Sequence, residues 1–393
     1  MTTPTTEQIR DRYRAFLASY PDRVLLTGHS HQAWPDVARS AMNAYFDDSA
    51  RHVDDKWSEA VFARVDTVGR KVLERSGFSP DDPIAFGRST HELVFRLLTA
   101  LPRDARVVST TGEFHSLHRQ LTRLEEDGLR VAWIDGTDRA QLADRLVAAL
   151  VPGVALVAVS AVFFEDSALL PGLDRVLSRA VEVGAIPLVD AYHAFNVVPI
   201  AWGPAKEHVY VVAGGYKYAA FGEGICWLRF PRECSLRPAY TGWFADFDAL
   251  ERPRSSHVGY GAGGARFAGA TFDAASFYRA ESVLSHWDEL GLDVAALRAI
   301  SSRQTQRLVD RARAAGLDVR SPMQAEARGG FVTVRVREAH DVVRELRARG
   351  VFVDARGELL RLGPAPYTTE AELDRGVDAL VDVCRARGDV LGG

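Results

Sequence analysis

Apolar positions along this chain follow two rhythms, and the change from one to the other marks its parts. From Ile84 to Ala213, short apolar runs alternate with stretches in which apolar residues recur every three or four positions. The runs are Ile84–Phe86, Arg106–Ser109, Leu129–Ile134, Ala155–Val162, Ile186–Asp190 and Val209–Ala213. Between them, helices are predicted from Ser89 or Thr90, from near Phe114, over Asp138–Ala149 and over Leu173–Gly184. Short β-branched runs separated by helices predict a mostly parallel sheet covered on its faces. Upstream, the periodicity predicts an amphipathic helix over residues 1–20, an irregular Thr27–Pro35 segment, and helices over Val37–Arg51 and Trp57–Ser76.

Beyond a Gly-rich stretch at Gly259–Gly264, a long helical region begins near Ala274 and the rhythm changes. Helix Ala296–Ala315, strand Phe331–Val336, helix Ala339–Arg349, strands Val351–Asp354 and Leu359–Leu362, and helix Glu370–Arg387 predict an α+β unit. The organisation expected is an N-terminal segment (1–50) packing with the small domain, a large domain (51–285) and a small C-terminal domain (286–393). A length of 393 residues suits one large domain with a smaller companion.

Net charge is −4 without a basic block, which argues against nucleic acid and against an anionic membrane surface. No run approaches the roughly 20 apolar residues of a spanning helix. Met1-Thr2-Thr3-Pro4 carries no secretory signal pattern, so a cytoplasmic protein is expected. Cys226, Cys234 and Cys384 have neither disulfide nor metal spacing and read as reduced thiols.

Candidate chemistry gathers where strands end. Lys217 follows the run Val209–Ala213 and a Gly-Gly step, between Tyr216 and Tyr218. A lysine partly desolvated among aromatics has a lowered pKa and can condense with an aldehyde cofactor; otherwise it is a solvated strand end. Asp190 closes another apolar strand, where a buried carboxylate can keep a pyridine nitrogen protonated. Together the two point to pyridoxal phosphate. His193, three residues on, turns back towards Asp190. A metal reading of this Asp/His pair with His29 and His31 lacks a third ligand at recognisable spacing.

Ser89 and Thr90 open a helix after a strand, which serves either as a simple cap or as a phosphate cradle. Phe114, at a second strand-to-helix turn, is either a core residue or a ring laid on the cofactor's face. Arg361, in an alternating strand, is either a surface charge or a two-pronged receptor for a substrate carboxylate.

Gly214–Tyr218 with its Gly-rich continuation, and Asp190-x-x-His193, resemble the fold type I pyridoxal phosphate enzymes of the class V aminotransferase group. Thr241-Gly242-Trp243-Phe244, Arg266-Phe267-x-Gly269-Ala270-Thr271 and Arg361-Leu362-Gly363-Pro364-Ala365-Pro366 narrow the similarity towards kynureninase, from about Leu25 to the C-terminal helix. The resemblance implies an α/β fold with a mostly parallel seven-stranded-type sheet and a small α+β domain. It implies Lys217 as the cofactor lysine, Asp190 at the ring nitrogen with His193 in support, Phe114 on the ring, and Ser89, Thr90 and Tyr216 at the phosphate. Tyr216 is also implied as a proton donor. It implies a homodimer in which Trp243 and Thr271 complete the partner's phosphate site, and an amino-acid substrate whose carboxylate meets Arg361.

Two departures lie on the substrate side. Kynureninases carry an Asp-Gly-Asn-Ser-Leu-Gly-type segment where this chain has Thr27-Gly28-His29-Ser30-His31-Gln32, and Pro-Pro where it has Phe272-Asp273. The expected activity is therefore kynureninase-type cleavage of an L-amino acid other than kynurenine, with His29 and His31 at the pocket mouth. An aminotransferase, a β-lyase of the cysteine desulfurase kind, a true kynureninase and a non-catalytic protein of the same fold are the alternatives.

Overall fold

The chain enters its first sheet through β1 (Val24–Leu25), a two-residue strand whose partner comes from far along the sequence. The alternation of strand and helix then builds β2 (Ile84–Gly87), β3 (Arg106–Thr110), β4 (Arg130–Ile134), β5 (Val154–Ser160), β6 (Ile186–Asp190), β7 (Tyr210–Gly214) and β8 (Cys226–Arg229). These seven form one sheet in the order β2-β8-β7-β6-β5-β3-β4. Neighbours from β4 to β7 are parallel, and β8 runs antiparallel to both β7 and β2. This is the mostly parallel sheet expected. The structure, a computed structural model, describes residues 4–251, 253 and 256–388.

Helices on both faces bury the central strands, so β5 and β7 read as continuous apolar runs instead of alternating ones. β8 gave no such signal. It is four residues long and carries Arg229, which looks like a solvated end but is 2% exposed. The guanidinium is kept inside by Asp82 (2.7 Å) and by the carbonyl of Val209 (2.7 Å), partners that no local pattern announces.

The remaining strands are β9 (Asp318–Val319), β10 (Val332–Arg335), β11 (Val351–Phe352), β12 (Asp354–Arg356) and β13 (Leu359–Leu362). β12-β13-β10-β9 make an antiparallel sheet, while β11 pairs in parallel with β1. The single strand expected over Val351–Asp354 is thus divided between two sheets. Val24 and Leu26 share an apolar cluster with Val332, Leu362 and Leu380. A bridge between Thr27 and Gly363 extends the contact and carries His29 into the neighbourhood of β12. Among the described residues no helix is long and apolar enough to cross a membrane.

Candidate active site

The carboxyl ends of β3, β5, β6 and β7 lie along one edge of the large sheet, and the chain order reverses between β3 and β5. A crevice at such a reversal is where open α/β sheets take ligands. A cavity of about 230 Å³ opens there, lined by Ser89, Thr90, Phe114, Asp190, His193, Tyr216 and Lys217 among others.

Lys217 stands three residues beyond β7 and is 6% exposed. The Gly214-Gly215 step before it is a close approach: a Cβ on Gly214 would lie 2.4 Å from Cys226 Sγ and 2.5 Å from the Tyr192 ring. Lys217 Nζ is 3.0 Å from His193 Nε2. The rings of Tyr192, Phe114 and Tyr216 surround it at 4.4, 5.6 and 5.8 Å. Burial lowers the lysine to about 7 although Asp190 pulls the other way, with Arg361 adding to the depression. Burial also holds His193 well below its usual range, helped by the charges of Lys217 and Arg361. A neutral amine beside a neutral imidazole is a nucleophile and base at neutral pH.

Asp190 ends β6, and its Oδ1 accepts the Tyr192 N–H at 2.8 Å, the side chain's only hydrogen bond among the described residues. Burial raises the carboxyl, opposed by that hydrogen bond and by Lys217. Ser89 caps the helix Thr90–Leu98, its hydroxyl accepting the Glu92 N–H at 3.2 Å. Ser89, Thr90 and His91 at that helix start line the cavity, and the first turn of a helix carries N–H groups without intrahelical partners. Phe114 is the residue before the helix His115–Glu126, set edge-to-face on Phe164 at 5.3 Å. Burial raises the Tyr216 phenol.

One acidic residue escaped the sequence reading. Glu113 is 3% exposed, and its two carboxyl oxygens accept from Thr110 and Ser160 hydroxyls at 2.6 Å each. Burial pushes it up to about 7, with Asp190 adding to the rise against the two hydroxyl hydrogen bonds. Ser160 stands opposite Asp190 in the β5–β6 register and lines the same cavity. Only its place beside Phe114 marked Glu113 in the sequence.

The other residues singled out do not line this cavity. Arg361 is 2% exposed and bound by both side-on nitrogens to Asp354. His29 is wholly buried with Nε2 on Asp354, away from any mouth, whereas His31 is exposed and 3.6 Å from Glu223 on the cavity rim. Trp243 and Thr271 do not line the Lys217 cavity. Thr271 borders a neighbouring cavity of about 480 Å³ that shares Arg88 with it, and Trp243 stacks on Phe244 at 4.2 Å. His29 and His31 are not gathered with Asp190 and His193, and no group of three or more metal-ligating side chains occurs among the described residues.

The kynureninase C-terminal domain family matches residues 297–380. Over 387 residues the chain is 22% identical to an uncharacterized aminotransferase, YcbU, of Bacillus subtilis, covering 95% of this chain and 98% of that one. It is 29% identical over 215 residues to the kynureninase of Pseudomonas fluorescens, about half of each chain. A cysteine desulfurase from Thermococcus onnurineus superposes with a TM-score of 0.82 at 18% identity, covering 98% and 99% of the two chains. A C-DES variant bearing glycine covalently linked to its pyridoxal phosphate superposes with a TM-score of 0.80 at 16% identity, covering 94% and 99%. The fold is that of the fold type I pyridoxal phosphate-dependent enzymes. Within that class the likenesses support an enzyme of the class V group, with kynureninase similarity concentrated in the C-terminal part.

Proposed function

We propose that this protein is a pyridoxal phosphate-dependent enzyme that acts on an L-amino acid by kynureninase-type Cβ–Cγ cleavage or a related lyase reaction, on a substrate other than kynurenine. The observation that carries this is a buried Lys217 that loses its proton near 7, set on His193 and lining one cavity with Asp190. The residues fit the cofactor: Asp190 has acceptor capacity left for a ring N–H, and the helix start at Ser89 suits a phosphate. When bound, pyridoxal phosphate supplies an electron sink for bonds at the substrate's Cα.

The chain's own residues do the rest. Lys217 would supply the amine that holds the cofactor and the base for the substrate's Cα proton, with His193 Nε2 placed 3.0 Å from its Nζ. Asp190 would accept the ring N–H, and a cation brought against the carboxylate would offset the rise that burial causes. Phe114, which lines the same cavity, would lie against the ring. Tyr216, kept protonated by burial, donates from its hydroxyl to the phosphate or to a leaving group. Arg361 receives the substrate's α-carboxylate. A non-catalytic role leaves the joint presence of Lys217, Asp190 and Arg361 without a purpose.

An aminotransferase or a cysteine desulfurase-like β-lyase is the second reading, favoured by the nearly full-length likenesses to YcbU and to cysteine desulfurases. Product analysis with L-kynurenine, 3-hydroxykynurenine and L-cysteine separates the readings. Phe272 packs edge-on against Trp57 (5.2 Å), and Asp273 Oδ1 accepts the Ala275 N–H at 3.0 Å, so neither reproduces a Pro-Pro wall. We therefore expect little or no alanine from L-kynurenine. Turnover at ordinary enzymic rates, on the order of 1–10³ per second, restores the plain kynureninase reading.

We also propose a homodimer. Phe62, Trp243, Phe247 and Leu250 are exposed, and the three rings pack into one another at the molecular surface. Trp243→Ala is expected to weaken both self-association in sedimentation and cofactor affinity in titration. A stable dimer with unaltered cofactor affinity would separate Trp243 from the phosphate site.

A further inference from the structure

Arg361 is already engaged by an internal carboxylate. Its Nε–H and an Nη2–H donate to the two oxygens of Asp354 at 2.8 and 2.5 Å, and an Nη1–H donates to the Phe164 carbonyl at 2.8 Å. Guanidinium is a rigid planar fork of five N–H groups. The Asp354 contact uses the side-on edge, and one N–H on each terminal nitrogen is left. A second carboxylate that meets both of these is bound end-on.

Asp354 is itself held. His29 Nε2 lies 2.8 Å from Asp354 Oδ1, and the ring stacks on Phe331 at 4.7 Å. Burial lowers His29 to about 4, so the imidazole is neutral and its Nε2–H donates to the carboxylate. Burial alone would raise Asp354, but His29 and Arg361 together hold it far below the usual carboxylate range. The pairing is built from both ends of the chain. His29 arrives through the Thr27–Gly363 bridge, and Asp354 stands opposite Arg361 in the β12–β13 register. Phe331 touches this network and the Lys217 site together, with its ring 5.7 Å from Arg361 and 5.7 Å from the His193 ring.

We infer that Asp354 is the positioning residue of substrate recognition: it fixes the side-on edge of Arg361, with His29 as its brace, so that an amino acid's carboxylate is taken end-on. The inference rests on the reading of Arg361 as the carboxylate receptor. Asp354 is not a catalytic residue, since it acts only through Arg361. His29 thereby acquires a role one step further from the substrate than its place in the sequence suggested.

The test compares L-alanine with ethylamine, which lacks only the carboxylate, by titrating the visible absorbance of the holoenzyme. In Asp354→Ala the dissociation constant for L-alanine is expected to rise roughly tenfold or more, while that for ethylamine stays within about twofold. Asp354→Asn keeps the volume and one acceptor, and is expected to fall between wild type and Asp354→Ala; it carries the test alone if the alanine variant does not fold. Equal changes for both ligands would make Asp354 merely structural and overturn the inference. No change, or tighter L-alanine binding, would overturn it too, the latter by making Asp354 a competitor. Arg361→Ala tests the underlying reading separately: an unaltered ratio of L-alanine to ethylamine affinity there removes Arg361 as the receptor.

Discussion

Lys217→Ala is expected to lower turnover by about 10³-fold or more, because on the proposed function one substitution removes both the nucleophile that captures the cofactor and the base that serves Cα. Borohydride reduction of the wild type should leave the pyridoxyl label on Lys217, and the variant should carry none. A label on Lys206, which sits in the turn Gly203–His208, would overturn the assignment. A pH dependence follows from the same burial. Only the neutral amine attacks an aldehyde, and Lys217 loses its proton near 7 instead of near its ordinary value of 10.5. The rate at which cofactor-free protein captures pyridoxal phosphate should therefore rise through about pH 7 and level off. A rate that keeps climbing towards pH 10 would mean that the amine is solvated.

Glu113→Gln is expected to make the protein more stable at pH 8, relative to wild type, than at pH 4.5. In the folded protein Glu113 keeps its proton up to about pH 7, whereas the unfolded chain releases it near its ordinary value of 4.5. Unfolding therefore releases a proton between these limits, and stability from this group falls as pH rises from about 4.5 to 7. The loss, complete above 7, is on the order of 3 kcal/mol. Glutamine resembles the protonated acid, with one acceptor and one donor for the Thr110 and Ser160 hydroxyls, and has no charge to bury. Urea unfolding of both proteins at several pH values reads the difference directly, since titrating groups that do not interact with Glu113 cancel. Parallel curves for wild type and variant would show that Glu113 titrates alike in the folded and unfolded chain.

Two carboxyls within the same buried layer bear on function as well as stability. If Asp190 is ionised against a ring nitrogen, its charge drives Glu113 further towards the protonated form, as it already does in part. The arrangement concentrates negative charge on Asp190, the group that reaches the cavity, and keeps it off Glu113, which lies behind.

What the sequence by itself determined was local. Strand ends at Asp190 and Val209–Ala213, the helix starts at Ser89 and Phe114, and the glycines before Lys217 follow from period, turn chemistry and close approach within a few residues. The gathering of Asp190, Lys217 and Phe114 on one cavity needed only the parallel order of the strands that carry them. The tertiary structure decided everything that depends on distant partners. His29 read as a mouth residue because nothing near it shows that Asp354, 325 positions away, would bury it. Arg361 read as a free receptor because its carboxylate partner was invisible, and β8 was missed because Asp82, 147 positions from Arg229, is what lets an arginine enter a sheet. Glu113 stayed unnoticed until Ser160 and Asp190 closed over it. Periodicity records which way a side chain points, but the cost of burying a charge is set by what surrounds it in three dimensions, and those neighbours are assembled only by the fold.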